Sequence, residues 1–236
     1  MDFNQIAPIL IFGVVGALLV AIVAYRNIQA RKRREALNSI APLLGFSFVG
    51  QELDHHPNTA DLKTSIFNRG HGKAFSNIMA GNFGGQPVST FDYRYTTGSG
   101  KDSHTWSQTV AAFSQELWLP EFELRPENFI DRIADHFTHK DIDFDLFPEF
   151  SRRFLLRGAS VDEIRSLFSP ALIQFLQTLP EDAKWHIEGS STALIVYKSD
   201  ITVPADIDSY RDFLEKTSII AKTFFGQSAG LSKPVR

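Results

Sequence analysis

The sequence predicts an α+β fold in which an N-terminal transmembrane helix is followed by a largely antiparallel sheet domain covered by helices. Three observations predict it: an uncharged run at residues 6–25, an alternating segment at residues 87–98, and apolar residues at helical spacing after residue 160. Strands precede helices with few strand–helix–strand alternations, which favours α+β over a parallel α/β sheet. Each half of the chain contains strands followed by a helix, so the domain is either a single body or two-lobed.

The apolar run at residues 6–25 is long enough to cross a bilayer. At about 1.5 Å per residue it forms a helix roughly 30 Å long, the thickness of the hydrocarbon core. Twelve of its twenty residues are Ile, Leu, Val or Phe, which contribute about −4 to −7 kcal/mol to insertion. The alternative is a cleaved signal peptide, which requires a positively charged start. The first five residues carry only the acidic Asp2, and this favours a permanent anchor.

The charges on either side of the anchor predict its orientation. Asp2 precedes the helix, whereas five basic residues follow within ten positions, and positive residues favour the cytoplasmic side. We therefore expect a single-pass membrane protein with its N-terminus outside and its large domain in the cytoplasm. The predicted organisation is an extracytoplasmic stub (1–5), a transmembrane helix (6–25), a basic juxtamembrane helical tether (26–44), a cytoplasmic α+β domain (45–225) and a disordered tail (226–236).

The anchor and tether contain the first candidate contact residues. The basic group Arg31, Lys32, Arg33 and Arg34 is placed to contact anionic lipid headgroups, although its role in topology already accounts for it. Small residues at spacings of four, Gly13, Ala17 and Ala21, line one helix face and would allow a second helix to approach closely. The alternative is that small residues are simply common in membrane helices. We expect the bilayer, together with a protein partner or a second copy, to be the partners of this chain.

Charge and cysteine content exclude several classes of function. From Ala36 onward 19 Lys and Arg residues stand against 25 Asp and Glu residues, a net charge of −6. A mildly acidic domain argues against binding nucleic acid, whose phosphates require a basic surface. The chain contains no cysteine, which excludes disulfides, thiolate nucleophiles and cysteine-ligated metals.

The strands are predicted mainly from alternation. The segment FSFVG at residues 46–50 reads as a short strand, and HHPNTADL at 55–62 as a loop or short helix. In residues 87–98 Phe91, Tyr93 and Tyr95 share one face, and residues 106–113 form the second strand of a hairpin. Further strands are expected at 150–158, 185–188 and 193–197, the last two joined through Gly189 and Ser190.

The helices are predicted from apolar spacing and from their end signals. The tether ends at Gly45, a typical helix C-cap, and a helix is expected at about 126–138. Ser160 and Glu163 form a capping box for the next helix, which Pro170 must kink or split after Ser169. A last helix is expected at about 205–225, ended by Gly226.

The acidic segment DIDFD is the nearest approach to a chemical site. Asp141, Asp143 and Asp145, with His136 and His139 close by, are candidate metal ligands. Alternate residues of a strand are about 6.6 Å apart, too far for all three carboxylates to share one ion. The sixth and twelfth positions of an EF-hand would be Leu146 and Arg152 rather than Gly and Glu. A solvated face opposite Ile142, Phe144 and Leu146 is the stronger interpretation, and no metal or other cofactor is predicted.

Other motifs have structural explanations that compete with functional ones. Arg152, Arg153 and Arg157 either pair with carboxylates or bind phosphate. The segments at residues 70–73 and 81–85 resemble a phosphate cradle but lack the required P-loop residues, which favours turns. The aromatic row formed by Phe91, Tyr93 and Tyr95, with Trp106 on the facing strand, is either a binding platform or core, and core is favoured. No catalytic residue is predicted.

Several segments together resemble a known group of proteins: VSTFDYRYTTGSG, WSQTV, FELRPE, DIDFDLFPEFSRRFLLRG and FSPALIQFL. The resemblance covers residues 80–180 and is to a family of uncharacterised bacterial membrane proteins with one N-terminal transmembrane helix. It implies the same topology and placement in the inner membrane. It implies no activity, ligand or catalytic residue.

Three functions are therefore compatible with the sequence. The favoured one is a membrane-anchored protein-interaction or scaffolding module that is not an enzyme. The alternative is a metal- or small-ligand-dependent enzyme or sensor that uses the Asp141, Asp143 and Asp145 region. The third is a structural protein of the lipid surface.

Overall fold

The computed structural model describes residues 3–50, 64–127 and 141–229, with side chains described from residue 12 onward. The mixed α+β architecture is confirmed: a long apolar helix is followed by an antiparallel sheet that carries helices. The helices are α1 (Phe3–Ile40), α2 (Ser65–Asn68), α3 (Pro148–Arg153), α4 (Val161–Leu167), α5 (Pro170–Thr178) and α6 (Ile207–Ser228). The strands are β1 (Phe46–Gly50), β2 (His71–Phe83), β3 (Gln86–Thr97), β4 (His104–Pro126), β5 (Phe154–Gly158) and β6 (Trp185–Lys198).

All the described strands belong to one sheet. Its order is β1-β2-β3-β4-β5, and β6 pairs with β4. The predicted hairpin is β3 and β4, in register from Val88 opposite Phe113 to Thr97 opposite His104. Strand β4 pairs with β6 from Val110 to Leu124, and its far part, past β3, also pairs with β5. Because β4 joins strands from both halves of the chain, the sheet is continuous across them.

The two faces of the sheet are buried by different means. On the first, which we call the helical face, Phe113, Phe122 and Leu124 pack with helices α3 to α6 and the end of α1 in the larger core. On the second, the aromatic face, Phe91, Tyr93, Tyr95 and Trp106 form a smaller core with residues of β6. The aromatic row is therefore core, as favoured from the sequence.

Helix α1 continues from the apolar run into the tether without a break. A 3-10 turn at Pro42–Leu44 follows, and Gly45 ends it in the left-handed region with φ of +76°. This is the predicted glycine cap, and strand β1 starts at the next residue.

Several predicted boundaries are wrong. Pro126 is the last residue of β4 rather than the start of a helix, and the rest of that predicted helix lies outside the described residues. Residues 150–153 belong to α3, so the predicted strand begins only at Phe154. Residues 185–198 form the single strand β6, with no break at Gly189 and Ser190.

The last helix also extends beyond its predicted end. Helix α6 runs through Gly226 to Ser228, so the first residues of the predicted tail are helical. The apolar face of α6 includes Phe224 and Phe225, both buried, and their packing offsets the low helix propensity of one glycine. By contrast, the split at Pro170 occurs as predicted, with Ser169 as the N-cap of α5.

Candidate functional site

An ion pair joins the juxtamembrane part of α1 to the sheet. Arg33 donates two hydrogen bonds to the carboxylate of Asp92, from Nε at 2.7 Å and from Nη2 at 2.8 Å. Its third nitrogen, Nη1, donates to the carbonyl oxygen of Val203 at 2.8 Å. Such a two-point contact fixes the orientation of both side chains as well as their distance.

Asp92 is held in turn by two neighbouring strands. Asn77 Nδ2 on β2 donates to Asp92 Oδ2 at 2.7 Å, and Thr109 Oγ1 on β4 donates to Oδ1 at 2.9 Å. Thr109 Oγ1 also accepts a hydrogen bond from the backbone nitrogen of Val203 at 3.0 Å. We call these residues (Arg33, Asn77, Asp92, Thr109 and Val203) the helix joint.

The face of α1 that begins with Arg33 is buried as far as the end of the helix. Leu37, Ile40, Ala41 and Leu44 all belong to the larger core. Their spacing of three and four residues places them on one side of a helix. About two turns of α1, from Arg33 to Ile40, are therefore packed on the sheet, and Ala41 and Leu44 continue this contact beyond the helix. The helix joint closes the end of the contact nearest the apolar run.

The other predicted residues of α1 lie at the surface. Arg31 pairs with Glu35 at 2.8 Å, and Lys32 and Arg34 are exposed. Contact of this basic group with lipid headgroups stays a prediction, but Arg33 is already engaged with Asp92 inside the protein. Gly13, Ala17 and Ala21 are exposed, so the face they form is open in the single chain, and helix self-association also stays a prediction.

A second cluster of charged groups is buried on the aromatic face, where β4 pairs with β6. Glu123 and Glu188 are directly opposite each other across these strands, and both are almost completely buried. Arg69 contacts the carboxylate of Glu123, and Arg125 Nε lies 3.6 Å from Glu123 Oε1. We call Arg69, Glu123, Arg125, His186 and Glu188 the buried charge layer.

Glu188 is a member of this layer whose ionisation is strongly perturbed. Ser65 Oγ and the backbone nitrogen of Ile66 each donate to its carboxylate at 3.1 Å, and the Tyr197 hydroxyl donates at 2.8 Å. Burial, and then the charge of Glu123, raise the pKa of Glu188 to about 7, against the opposing effect of Arg69. This carboxyl can therefore gain or lose a proton near neutral pH.

His186 adds a neutral group to the same layer. Its ring stacks on Tyr197 with 4.9 Å between ring centroids. Burial, followed by the positive charges of Arg69 and Arg125, holds the pKa of His186 well below its usual range. The uncharged imidazole allows two arginines to lie close by without a third positive charge.

The buried charge layer was not predicted from the sequence. Glu123 and Arg125 alternate with Phe122 and Leu124, and this pattern is normally read as a strand with one solvated face. His186 and Glu188 alternate with Trp185 and Ile187 in the same way. Two strands with charged or titratable residues at alternate positions were the available signal, but only the pairing of β4 with β6 shows that their polar faces coincide.

The acidic segment is not a strand, and its carboxylates are dispersed. Asp141 pairs with Arg157 at 2.6 Å, while Asp143 and Asp145 are exposed. Leu146, expected on the apolar side, is 88% exposed because it lies in a turn. His136 and His139 lie outside the described residues. Among the residues that are described, no group of three or more His, Asp or Glu side chains is arranged to hold a metal ion.

The other motifs have structural partners. Arg153 donates to the carbonyl oxygens of Gln177 and Leu179, each at 2.7 Å, and Arg152 contacts Glu149. Gly84 and Gly85, with φ of +59° and +85°, form the two-residue turn between β2 and β3. Turns of this kind require left-handed residues, which explains the glycines without a phosphate.

A cleft of about 400 Å³ lies between α1 and the sheet beside the helix joint. Residues of α1, β2, β3 and β4 line it, among them Ala30, Arg34, Phe75 and Arg94. Arg34 and Arg94 are both exposed, so two positive charges are available at this cleft.

By its length and composition α1 can cross a membrane, with a mean hydropathy of 1.6 in its most apolar part, none of which is buried in the protein. This indicates a membrane-associated protein. No protein-family model matches the sequence, and no curated protein matches it significantly.

The crystal structure of the mycobacterial trehalose monomycolate transport factor A, TtfA, is similar to this chain. The TM-score is 0.58 over 87% of this chain and 99% of that chain, with 15% sequence identity. At this identity the similarity establishes a shared fold.

Proposed function

We propose that this chain is a single-pass inner-membrane protein whose cytoplasmic domain is a non-enzymatic interaction or scaffolding module in a transport process. The helix joint carries the proposal. A bidentate contact between Arg33 and Asp92, continued by the buried side chains of Leu37 and Ile40 at the end of α1, holds the domain in one orientation relative to the anchor. A domain that only needed to be near the membrane would require no such contact.

A fixed orientation is useful to a protein that presents a surface to a partner in the same membrane. Rigid placement avoids the loss of freedom that a flexibly tethered domain would undergo on binding, so more of the contact energy appears as affinity. The fold shared with a trehalose monomycolate transport factor supports a role in transport at a membrane.

Site-specific photo-cross-linking of the full-length protein in living cells tests this function. A cross-linking amino acid at the exposed Leu146 reports on contacts of the domain. We expect a discrete adduct of one reproducible mass, either with a membrane protein or with a second copy. Its yield should fall in Asp92→Asn, because that variant releases the domain from its fixed orientation. The proposal would be contradicted if cross-linking at Leu146, and at further exposed positions such as Val161 and Ile219, yielded only monomers.

The orientation has its own test. Protease added to intact spheroplasts should leave the domain uncut, whereas protease added to inverted membrane vesicles should digest it. The five basic residues after the anchor are the reason for this expectation. Digestion from the outer side would reverse the assigned topology while leaving the helix joint unaffected.

A further inference from the structure

The helix joint places one end of the sheet close to the bilayer. Arg33 lies eight residues after Tyr25, the last residue of the apolar run, a distance of about 12 Å along the helix. Asp92 of β3 is therefore at about the same height above the membrane.

The direction of β3 relative to α1 follows from a second contact. Gly45, further along the chain, packs against Gly81 of β2. A Cβ added to Gly81 would lie only 2.8 Å from the carbonyl oxygen of Gly45. Gly81 in turn pairs with Val88 of β3. From Arg33 to Gly45 the chain runs away from the bilayer. The adjacent part of β3 therefore runs away from the bilayer from Asp92 back to Val88. The other end of β3, from Arg94 to Thr97, points toward the bilayer.

The length of β3 beyond Asp92 is sufficient to span the distance between the helix joint and the membrane surface. From Asp92 to Thr97 is five residues, or about 16 Å of extended strand, which compares with the 12 Å or so between Arg33 and the end of the apolar run. The turn between β3 and β4 therefore lies level with the membrane surface even if the strand is inclined to the helix. The start of β2 is brought to the same level, because His71 pairs with Thr96 and Ala74 with Arg94.

This end of the sheet is basic although the domain as a whole is acidic. Arg34, His71, Lys73, Arg94 and Lys101 are exposed here, and we call them the basic rim. Among the residues that the structure describes, the nearby carboxylates are Asp102, Asp200 and Asp92, the last of which is paired with Arg33. Asp200 already accepts a hydrogen bond from the backbone nitrogen of Ser107 at 3.1 Å and lies 3.5 Å from His104. Positive charge is thus concentrated at the one end that α1 directs toward the membrane.

We propose that the basic rim lies on the bilayer and binds the headgroups of anionic phospholipids. The cleft of about 400 Å³ between α1 and the sheet, with Arg34 on one wall and Arg94 on the other, receives a headgroup phosphate. Charge complementarity favours this occupant, because anionic lipids give the membrane surface a negative potential that attracts Lys and Arg. The proposal rests on the membrane anchoring in the proposed function, and it replaces Arg33 with residues of the sheet as the lipid contacts.

Proximity is tested with the full-length protein in lipid nanodiscs. The chain has no cysteine, so single spin labels can be placed at Ser99, in the turn after β3, and at Ile219, which is exposed on α6. A nickel-chelating lipid serves as a relaxation agent at the headgroup level. We expect several-fold stronger relaxation at Ser99 than at Ile219. Equal relaxation at the two sites would overturn the proposal.

The charge requirement is tested in the same discs. With equal parts of phosphatidylglycerol and phosphatidylcholine, the double variant Arg34→Gln with Arg94→Gln should lose at least half of the relaxation at Ser99. The control, Arg152→Gln with Lys222→Gln, removes the same charge from positions outside the rim and should lose none. In discs of phosphatidylcholine alone, the wild type should resemble the rim variant. Relaxation that depends on neither the lipid charge nor the rim arginines would overturn the proposal.

Failure here is distinguishable from failure of the proposed function. If the rim does not bind lipid but the cross-linked adduct from Leu146 persists, the interaction module stands and the rim assignment falls. If the adduct is absent while Ser99 is held at the headgroups through Arg34 and Arg94, the lipid contact stands and the partner-binding role falls.

Discussion

The helix joint and the buried charge layer lie on opposite faces of the same sheet, and they use charge differently. In the helix joint one arginine meets one carboxylate, the exposed fractions of the side chains are 21% and 14%, and the hydrogen bonds to Asp92 come from three elements. In the buried charge layer two glutamates, Arg125 and a histidine are almost entirely removed from water, and the side chain of Arg69 is 10% exposed. The pKa of Glu188 is raised there to about 7, chiefly by burial.

This difference indicates separate roles: the helix joint fixes the orientation of the domain, and the buried charge layer affects its stability. A matched pair near the surface costs little to desolvate and fixes geometry, which suits a contact between a helix and a domain. A buried group of charges is costly to form, and it becomes far more costly if one member is removed. We therefore expect changes in the helix joint mainly to alter orientation, and changes in the buried charge layer mainly to alter stability.

Glu123→Ala should have the largest effect. It removes the carboxylate that both Arg69 and Arg125 contact and leaves excess positive charge in the interior, so the free energy of unfolding should fall by about 3–5 kcal/mol. Urea unfolding of the full-length protein in detergent micelles, followed by tryptophan fluorescence, measures this change. The exposed Glu121 on the same strand provides the control, since Glu121→Ala should change stability by less than about 0.5 kcal/mol. Similar values for both variants would refute the distinction.

Asp92→Asn should cause the second-largest loss of stability and the largest change in the orientation of the domain relative to α1. The amide cannot neutralise Arg33, yet the site is partly hydrated, so we expect a loss of about 1–3 kcal/mol. A label on α1 should become more mobile relative to one on the domain, as observed by electron paramagnetic resonance. Asp212→Asn is the matched control, because Asp212 pairs with Lys216 on the exposed surface of α6. A mobile helix in the control, or a rigid one in Asp92→Asn, would contradict the assigned role.

The raised pKa of Glu188 predicts a pH dependence with a definite sign. Between the ordinary value near 4.5 and about 7, the folded protein holds a proton that the unfolded chain has released. The contribution of this group is therefore complete below the unfolded pKa and is lost as pH rises through about 7, by an amount on the order of 1–3 kcal/mol. Glu188→Gln should abolish this part of the slope in unfolding measured between about pH 5 and pH 8.

Comparing the wild type with Glu188→Gln separates the pH dependence caused by Glu188 from that caused by the neighbouring His186. The lowered pKa of His186 acts in the opposite direction, because its contribution is present above the ordinary value of 6.5 and is lost as pH falls below it. That contribution is common to both proteins and cancels in the difference between them. An identical slope in wild type and Glu188→Gln would show that Glu188 is ionised throughout.

Ser169→Ala should have the smallest effect, and it serves as a control because Ser169 lies outside both clusters. Ser169 Oγ accepts from the backbone nitrogen of Leu172 at 3.3 Å and caps α5, so Ser169→Ala should cost about 1 kcal/mol. It should leave both the mobility of α1 and the pH slope unchanged. A change in either would mean that those two readouts respond to stability in general.

The sequence predicts well what depends on local periodicity. Alternation in residues 87–98 identifies the buried side of β3, including Phe91 and Tyr93, and Pro170 marks the boundary between α4 and α5. Gly189 shows the limit of local signals, because it was taken as a break between strands. It lies within β6, where an added Cβ would be 2.3 Å from the ring of Phe122. Close approach of an aromatic ring, rather than a turn, explains this glycine.

The polar clusters depend on pairings between distant parts of the chain. Arg33 and Asp92 are 59 residues apart, and Arg33 was grouped with its basic neighbours because its own segment contains no carboxylate on the same face. The strands that carry Glu123 and Glu188 each read as half-solvated by themselves. Only the tertiary fold shows that one arginine of the basic group is internal and that two polar strand faces are buried together.

The distance between the anchor and the domain tests the central claim most directly. Spin labels at Tyr25 and Ile219 of the full-length protein in nanodiscs can be measured by double electron–electron resonance, since both positions are exposed. The account predicts one narrow distance distribution, which broadens in Asp92→Asn and is unchanged in Asp212→Asn. A broad or multiple distribution in the wild type would contradict the claim that α1 and the sheet form one rigid unit.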